Sequence, residues 1–224
     1  MREAFISDVH GNDYRLEIAF ELLKEHGYDR IWCLGDTVMD FPWREKDTEI
    51  CTEMIKEKCH AWLLGNHDLR AQQRKTFSLQ SIVEYLSDAL IIAKEKDLVY
   101  SHLGPDVPCT PENGDRFGYH IYTPDRAHFE FANANFRLAF LGHTHVPAAF
   151  ANDGKYHYFT RSETIELGNK NWLLTVGAVE RSRDENPSVS CAIYDSDKNT
   201  FTVLRNGEIE NKNFFNMKRS NLHD

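Results

Sequence analysis

Apolar runs of three to five residues recur along the first two thirds of the chain, and each ends abruptly in polar residues. Ala4 to Ser7, Arg30 to Leu34, Ala61 to Leu64, Leu98 to Tyr100 and Leu138 to Leu141 read as buried strands. Between them the period lengthens to that of helices. Asn12 or Asp13 caps a helix with Leu16, Ala19/Phe20 and Leu23 on one face, and Gly27 stops it. A second helix runs from Asp47 to about Lys58 and carries Ile50 and Met54, and a third runs from Ser78 to Ala89 with Ile82, Tyr85 and Leu86 on one side. Asp125 to about Asn133 is a fourth. The opening β-α-β-α-β rhythm predicts a parallel sheet covered by helices.

After Pro147 the pattern changes to short alternating strands separated by turn residues. They are Ala148 to Ala151, Lys155 to Phe159 across Asn152-Asp153-Gly154, Trp172 to Val176, Ser190 to Tyr194 and Phe201 to Leu204, the grammar of antiparallel hairpins. Residues 104–122, rich in Pro, Gly, Asp and Asn, read as a long surface loop of the kind that lines a substrate entrance. With no internal repeat and no linker, residues 1–207 read as one domain and 208–224 as a polar tail.

The strand ends carry the chemistry. Ser7-Asp8-Val9-His10, Gly35-Asp36, Gly65-Asn66-His67-Asp68, His102 and Gly142-His143-Thr144-His145 each follow an apolar strand. Packing requires none of these groups together. Asp8, His10, Asp36, Asn66, His102, His143 and His145 offer nitrogen and oxygen donors without a cysteine. Such a set suits Mn²⁺, Fe, Zn²⁺ or Ni²⁺ and not a thiolate zinc site or calcium. Seven donors exceed what one ion takes. With Asp36 bridging they divide into two sets of four, a dinuclear centre able to activate water and clamp a phosphoryl oxygen.

Composition narrows the partners. The chain has 224 residues, 41% hydrophobic and 27% charged, as soluble globular domains do. A formal charge of −9 argues against binding long nucleic acid through a basic face, yet bound cations can still draw in a small phosphate ester. No run of 18 apolar residues is present, so no membrane partner is expected. The five cysteines form no CxxC pair, which fits reduced thiols and a cytoplasmic setting. Nothing in the sequence sets the oligomeric state.

Asp8-x-His10, Gly35-Asp36, Gly65-Asn66-His67-Asp68, the isolated His102 and Gly142-His143-x-His145 resemble, in order, the five motifs of the calcineurin-like metallophosphoesterase superfamily. Val176-Gly177-Ala178-Val179, Arg183-Asp184 and Ala192-Ile193-Tyr194-Asp195 resemble the end of its small bacterial and archaeal phosphodiesterase-type branch. The likeness spans about residues 1–205. It implies an α/β fold, a four-layer αββα sandwich of two mixed sheets flanked by helices. It also implies two divalent ions, manganese first with iron, nickel or zinc as alternatives. The first would take Asp8, His10, Asp36 and His145, and the second Asp36, Asn66, His102 and His143. His67 would face the substrate and stabilise or protonate the leaving oxygen. Adjacency in the sequence, apart from the resemblance, makes Asp68 the natural group to orient it.

The expected activity is hydrolysis of a phosphodiester by a metal-bridging hydroxide. Alternatives are a phosphomonoesterase, a dinucleoside polyphosphate hydrolase, or a non-catalytic metal-binding scaffold on the same fold. The His-x-His-x-Asp-His cluster of metallo-β-lactamase-type hydrolases is absent. Arg181 and Arg183 are candidates to grip the phosphate bidentately and Trp43 to stack a substrate ring. After Gly35-Asp36 the sequence Thr37-Val38-Met39-Asp40-Phe41-Pro42 departs from the branch's glycine-rich turn.

Overall fold

The computed structural model describes residues 1–110, 123–132, 135–184 and 186–206. The chain runs through β1 (Arg2–Ile6), α1 (Asp13–His26), β2 (Arg30–Cys33), a single 3₁₀ turn (Pro42–Arg44), α2 (Glu45–Lys58), β3 (Ala61–Trp62), α3 (Asn66–Arg74) and α4 (Gln80–Asp88). It continues with β4 (Ile92–Glu95), β5 (Leu98–Ser101), α5 (Pro124–Phe131), β6 (Leu138–Leu141), β7 (Pro147–Ala151), β8 (Tyr156–Tyr158), β9 (Glu163–Glu166), β10 (Trp172–Val176), β11 (Ser190–Asp195) and β12 (Thr200–Arg205).

Two six-stranded mixed sheets result, in the orders β3-β2-β1-β11-β12-β9 and β4-β5-β6-β10-β7-β8. Phe5, Trp32, Tyr100, Phe140, Leu174, Ala192 and Phe201 fill the space between the sheets. Phe5 stacks on Phe140 at 4.2 Å and Trp32 on Tyr100 at 4.1 Å. Each buried aromatic of this kind contributes several kcal/mol, with truncation to Ala costing about 3–5 kcal/mol. Leu16, Phe20 and Leu23 of α1, Cys51 and Ile55 of α2, and Ile82, Tyr85 and Leu86 of α4 cover the outer face of the first sheet. Ala127 of α5 packs with Phe136, Val99, Ala139 and Leu173 on the outer face of the second. These four layers are the expected αββα sandwich.

Caps and breaks follow the sequence signals. Asn12 accepts from Arg15 N, and Gly27 ends α1 with a positive φ of 72°. Thr123 caps α5 by accepting from Arg126 N.

Four elements depart from the pattern reading. Residues 66–74 form α3, too polar to show an apolar stripe. β4 and β9 are sheet edges with only partial burial, so they lack a hydrophobic signature. β10 is not part of an antiparallel hairpin series alone. It lies between β6 and β7, parallel to the first and antiparallel to the second. The strands from Pro147 on are divided between the two sheets, β7, β8 and β10 in one and β9, β11 and β12 in the other, which local spacing does not encode. Residues 111–122 of the expected loop, the end of the expected fourth helix at Asn133, and the expected tail at 208–224 lie outside the described residues.

This topology gathers the polar motifs. β1, β2 and β3 are mutually parallel in one sheet, and β5, β6 and β10 in the other. Their carboxyl ends converge at one rim, the usual place for a ligand site in α/β sheets.

Candidate metal centre

Backbone hydrogen bonds stitch the strand ends together. Asp8 N donates to Gly35 O (3.0 Å), His10 N to Asp36 O (3.0 Å), and Glu180 N to Asp8 O (3.0 Å). The loops turn sharply to aim their side chains inward. Asp8, His10, Asp36, His143 and His145 all adopt positive φ, between 51° and 67°. Left-handed backbone at so many non-glycine positions is costly and collects at functional sites. Gly65 is needed for a different reason: a Cβ there would overlap the Asp36 carboxylate and backbone nitrogen.

The donor atoms form two clusters that meet at Asp36. His145 Nε2 lies 3.1 Å from Asp8 Oδ1 and 3.2 Å from His10 Nε2. His102 Nε2 lies 3.3 Å from Asp36 Oδ2 and 3.2 Å from Asn66 Oδ1. The same Asp36 Oδ2 is 4.0 Å from His10 Nε2. Donor atoms of Asp36, His102 and His143 lie within 4.8 Å of one another, as do those of Asp8, His10 and His145. The other oxygen, Asp36 Oδ1, accepts from His67 N at 2.7 Å and so anchors the start of α3.

The chemistry of this set fits divalent cations. His145 Nδ1 and His102 Nδ1 donate to the carbonyls of Arg181 (2.9 Å) and Leu34 (2.8 Å). In the neutral rings this turns an Nε2 lone pair toward the carboxylates, the arrangement in which histidines ligate metals. Asp8 Oδ1 and His10 Nδ1 are buried without a hydrogen bond. Burial alone would raise Asp8 and Asp36, but His145 and His102 respectively hold both carboxyls well below the usual range. His102 is opposed by burial, yet Asp36 pushes it up to about 9. Burial takes His10 down to about 3, which keeps it neutral and available as a donor. Cations between these groups would satisfy both the lone pairs and the anionic charge.

His67 stands beside the two four-residue sets and brings a ring nitrogen within 4.8 Å of donor atoms of His10 and Asp36. Its ring meets that of His10 edge-on at 4.9 Å. His67 Nδ1 lies 2.8 Å from Asp40 Oδ1, and Asp40 Oδ2 accepts from Arg74 Nη1 at 3.0 Å. This corrects the expectation for Asp68. Asp68 is fully buried and accepts from Val38 N (2.8 Å) and from Gly65 N (2.9 Å), the residue that precedes α3. Burial and then Asp36 push its carboxyl up to about 6. Asp68 fails to reach His67 because the helix that begins at Asn66 turns successive side chains about 100° apart. The carboxylate that holds the ring is Asp40, which lies in the loop after Asp36 and follows no strand.

A cleft of about 450 Å³ opens over the centre, lined by His10, Met39, His67, His145, Glu180, Arg181, Ser182, Arg183 and Asp184. Arg181 and Arg183 are thus brought to the same opening as the histidines. Trp43 is not among the lining residues. It is 75% exposed and stacks on Phe41 with ring centroids 4.6 Å apart. Met39, Asp40, Glu180 and Asp184 had no strand-end or histidine signal to mark them. Only an acidic residue inside Val38-Met39-Asp40-Phe41 hinted at Asp40. No helix among the described residues is long and apolar enough to cross a membrane.

Comparison with known proteins agrees with this geometry. The metallophosphoesterase of Sphaerobacter thermophilus superposes with a TM-score of 0.79 at 25% identity, over 99% of this chain and 94% of that one. The hypothetical protein PH1004 of Pyrococcus horikoshii OT3 shares the fold, with a TM-score of 0.63 at 14% identity over 100% and 94% of the two chains. In sequence, the uncharacterised protein MJ0912 of Methanocaldococcus jannaschii is 25% identical over 90% of this chain and 86% of its own length. The model of the calcineurin-like phosphoesterase superfamily domain matches residues 1–199, and the chain belongs to that superfamily.

Proposed function

We propose that the protein is a metal-dependent phosphoesterase that hydrolyses a phosphodiester at a dinuclear centre, with manganese the first candidate for the ions. One observation carries this reading: Asp36 Oδ2 faces both donor clusters, 4.0 Å from His10 Nε2 and 3.3 Å from His102 Nε2. Asp8, His10, Asp36 and His145 would hold one ion, and Asp36, Asn66, His102 and His143 the other. Such ions supply Lewis-acid charge for the phosphoryl oxygens and lower the pKa of water.

The protein's own groups do the rest. Arg181 and Arg183, at the mouth of the cleft, receive non-reacting phosphate oxygens. His67 Nε2 delivers a proton to the leaving oxygen. Asp40 accepts from Nδ1 and fixes the ring. Buried Asp8 and Asp36 stay ionised throughout, so neither competes as the acid. Trp43, stacked on Phe41 beyond Asp40, offers a face to an aromatic leaving group.

The test is hydrolysis of bis-aryl phosphodiesters, aryl phosphomonoesters and dinucleoside polyphosphates with Mn²⁺, Ni²⁺, Fe²⁺ or Zn²⁺. Chelator-sensitive turnover, fastest on diesters, is expected. Preference for monoesters or polyphosphates would reassign the substrate, and no turnover with any metal would favour a binding role. Trp43→Ala should raise KM for aryl diesters and leave alkyl diesters unchanged.

A further inference from the structure

Arg205 closes β12, remote in sequence from every strand-end motif, yet its side chain is only 2% exposed. A buried guanidinium needs its N–H groups satisfied, and this one is spent on two neighbouring segments. Nη1 and Nη2 grip Asp184 in a bidentate pair, at 2.6 Å to Oδ2 and 3.0 Å to Oδ1. Nε donates to Ser188 Oγ (3.0 Å), Nη2 to Asn186 O, and Nη1 to Phe159 O (2.6 Å). Asn186 Nδ2 adds a bond to Thr160 O at 3.0 Å.

The residues just before Asp184 are fixed from the opposite side, by the metal centre. Ser182 Oγ and Arg183 N both donate to His145 O, at 2.8 Å and 3.1 Å, and Arg181 O receives His145 Nδ1. Arg181 and Arg183 therefore stand on a short span pinned at one end by His145 and at the other by Arg205 through Asp184.

We infer that Arg205 is a positioning residue for substrate binding: its clamp on Asp184 holds Arg181 and Arg183 at the mouth of the cleft. This rests on the reading, made above, that those arginines receive the phosphate. A bidentate Arg–carboxylate pair fixes direction as well as distance, and Lys cannot reproduce the fork.

The experiment compares Arg205→Met, Arg205→Lys and Asp184→Asn with Arg181→Ala, Arg183→Ala and the double arginine variant. Each is metal-loaded and assayed well below its Tm on an aryl phosphodiester, and binding of inorganic phosphate is measured by calorimetry. KM and the phosphate Kd are expected to rise roughly five- to twentyfold in the Arg205 and Asp184 variants, within the coupling range of linked residues. Metal content and kcat should stay near wild type. Arg205→Met should add little to the double arginine variant, because both act through one contact. Asp184→Asn, nearly isosteric, serves if Arg205→Met does not fold. Lowered Tm with unchanged KM and Kd in these variants would make the clamp purely structural and overturn the inference. Unchanged KM in the Arg181 and Arg183 variants would overturn the phosphate role itself, and the inference with it.

Discussion

His67 Nδ1 lies 2.8 Å from Asp40 Oδ1, while the carboxylate next to His67 in sequence, Asp68, is turned into the protein. The contact to His67 and the anchoring of α3 are thereby divided between two acids that the sequence sets four residues after Asp36 and one after His67. If Asp40 holds the ring for proton delivery, Asp40→Asn should lower kcat roughly 10- to 10²-fold, and His67→Ala by about 10²–10⁴-fold. Both variants should keep their metals. The loss should shrink for nitrophenolate leaving groups, which need little protonation. A plot of log kcat against leaving-group pKa checks it, and slopes equal to wild type would remove His67 from acid catalysis.

Asp68 predicts the complementary outcome. Asp68→Ala leaves Val38 N and Gly65 N buried without acceptors, at about 1–3 kcal/mol each. Thermal melting should fall by roughly 5–15 °C for a chain of this size. The leaving-group dependence of the folded, metal-loaded variant should match wild type. A variant that melts normally but loses the dependence would return Asp68 to the catalytic role.

Much of the fold was legible because the first half of the chain is locally consistent. Ala4, Ile31 and Phe140 sit in apolar runs that can only be buried strands, and Leu16, Phe20 and Leu23 keep the helical period. The candidate metal donors were legible because aspartate and histidine side by side at strand ends serve no packing purpose. What escaped depends on tertiary placement. Gln72 and Gln73 lie in a helix with almost no apolar face. Thr164 and Glu166 belong to an edge strand that buries little. Whether Asp40 or Asp68 reaches His67 is decided by the turn of α3, not by spacing along the chain.

The five cysteines lend themselves to a test of the packing. All are buried, and burial pushes Cys33 up to about 12 and the other four upward as well. Thiolate is then scarce in the folded state at pH 8, so a disulfide-exchange reagent should react only on unfolding. The sign for stability follows: a thiol raised above its unfolded value of about 8.5 stabilises fully below that pH. Each such group then withdraws up to about 1.4 kcal/mol per pH unit as pH rises from there toward its folded value. Between about pH 8.5 and 10 the urea midpoint should fall, less so in Cys33→Ala than in wild type. Rapid labelling of native protein would contradict the burial.

The most direct test of the central claim is the metal content of Asp36→Asn beside wild type, read by elemental analysis after equilibration with Mn²⁺ and gel filtration. Asp36 Oδ2 faces both donor clusters, so its loss of charge should weaken both ions together. Wild type is expected to retain two ions per chain, and Asp36→Asn to lose both and with them turnover of an aryl phosphodiester. A single ion in wild type, or two retained by an active Asp36→Asn, would contradict a dinuclear centre bridged at Asp36.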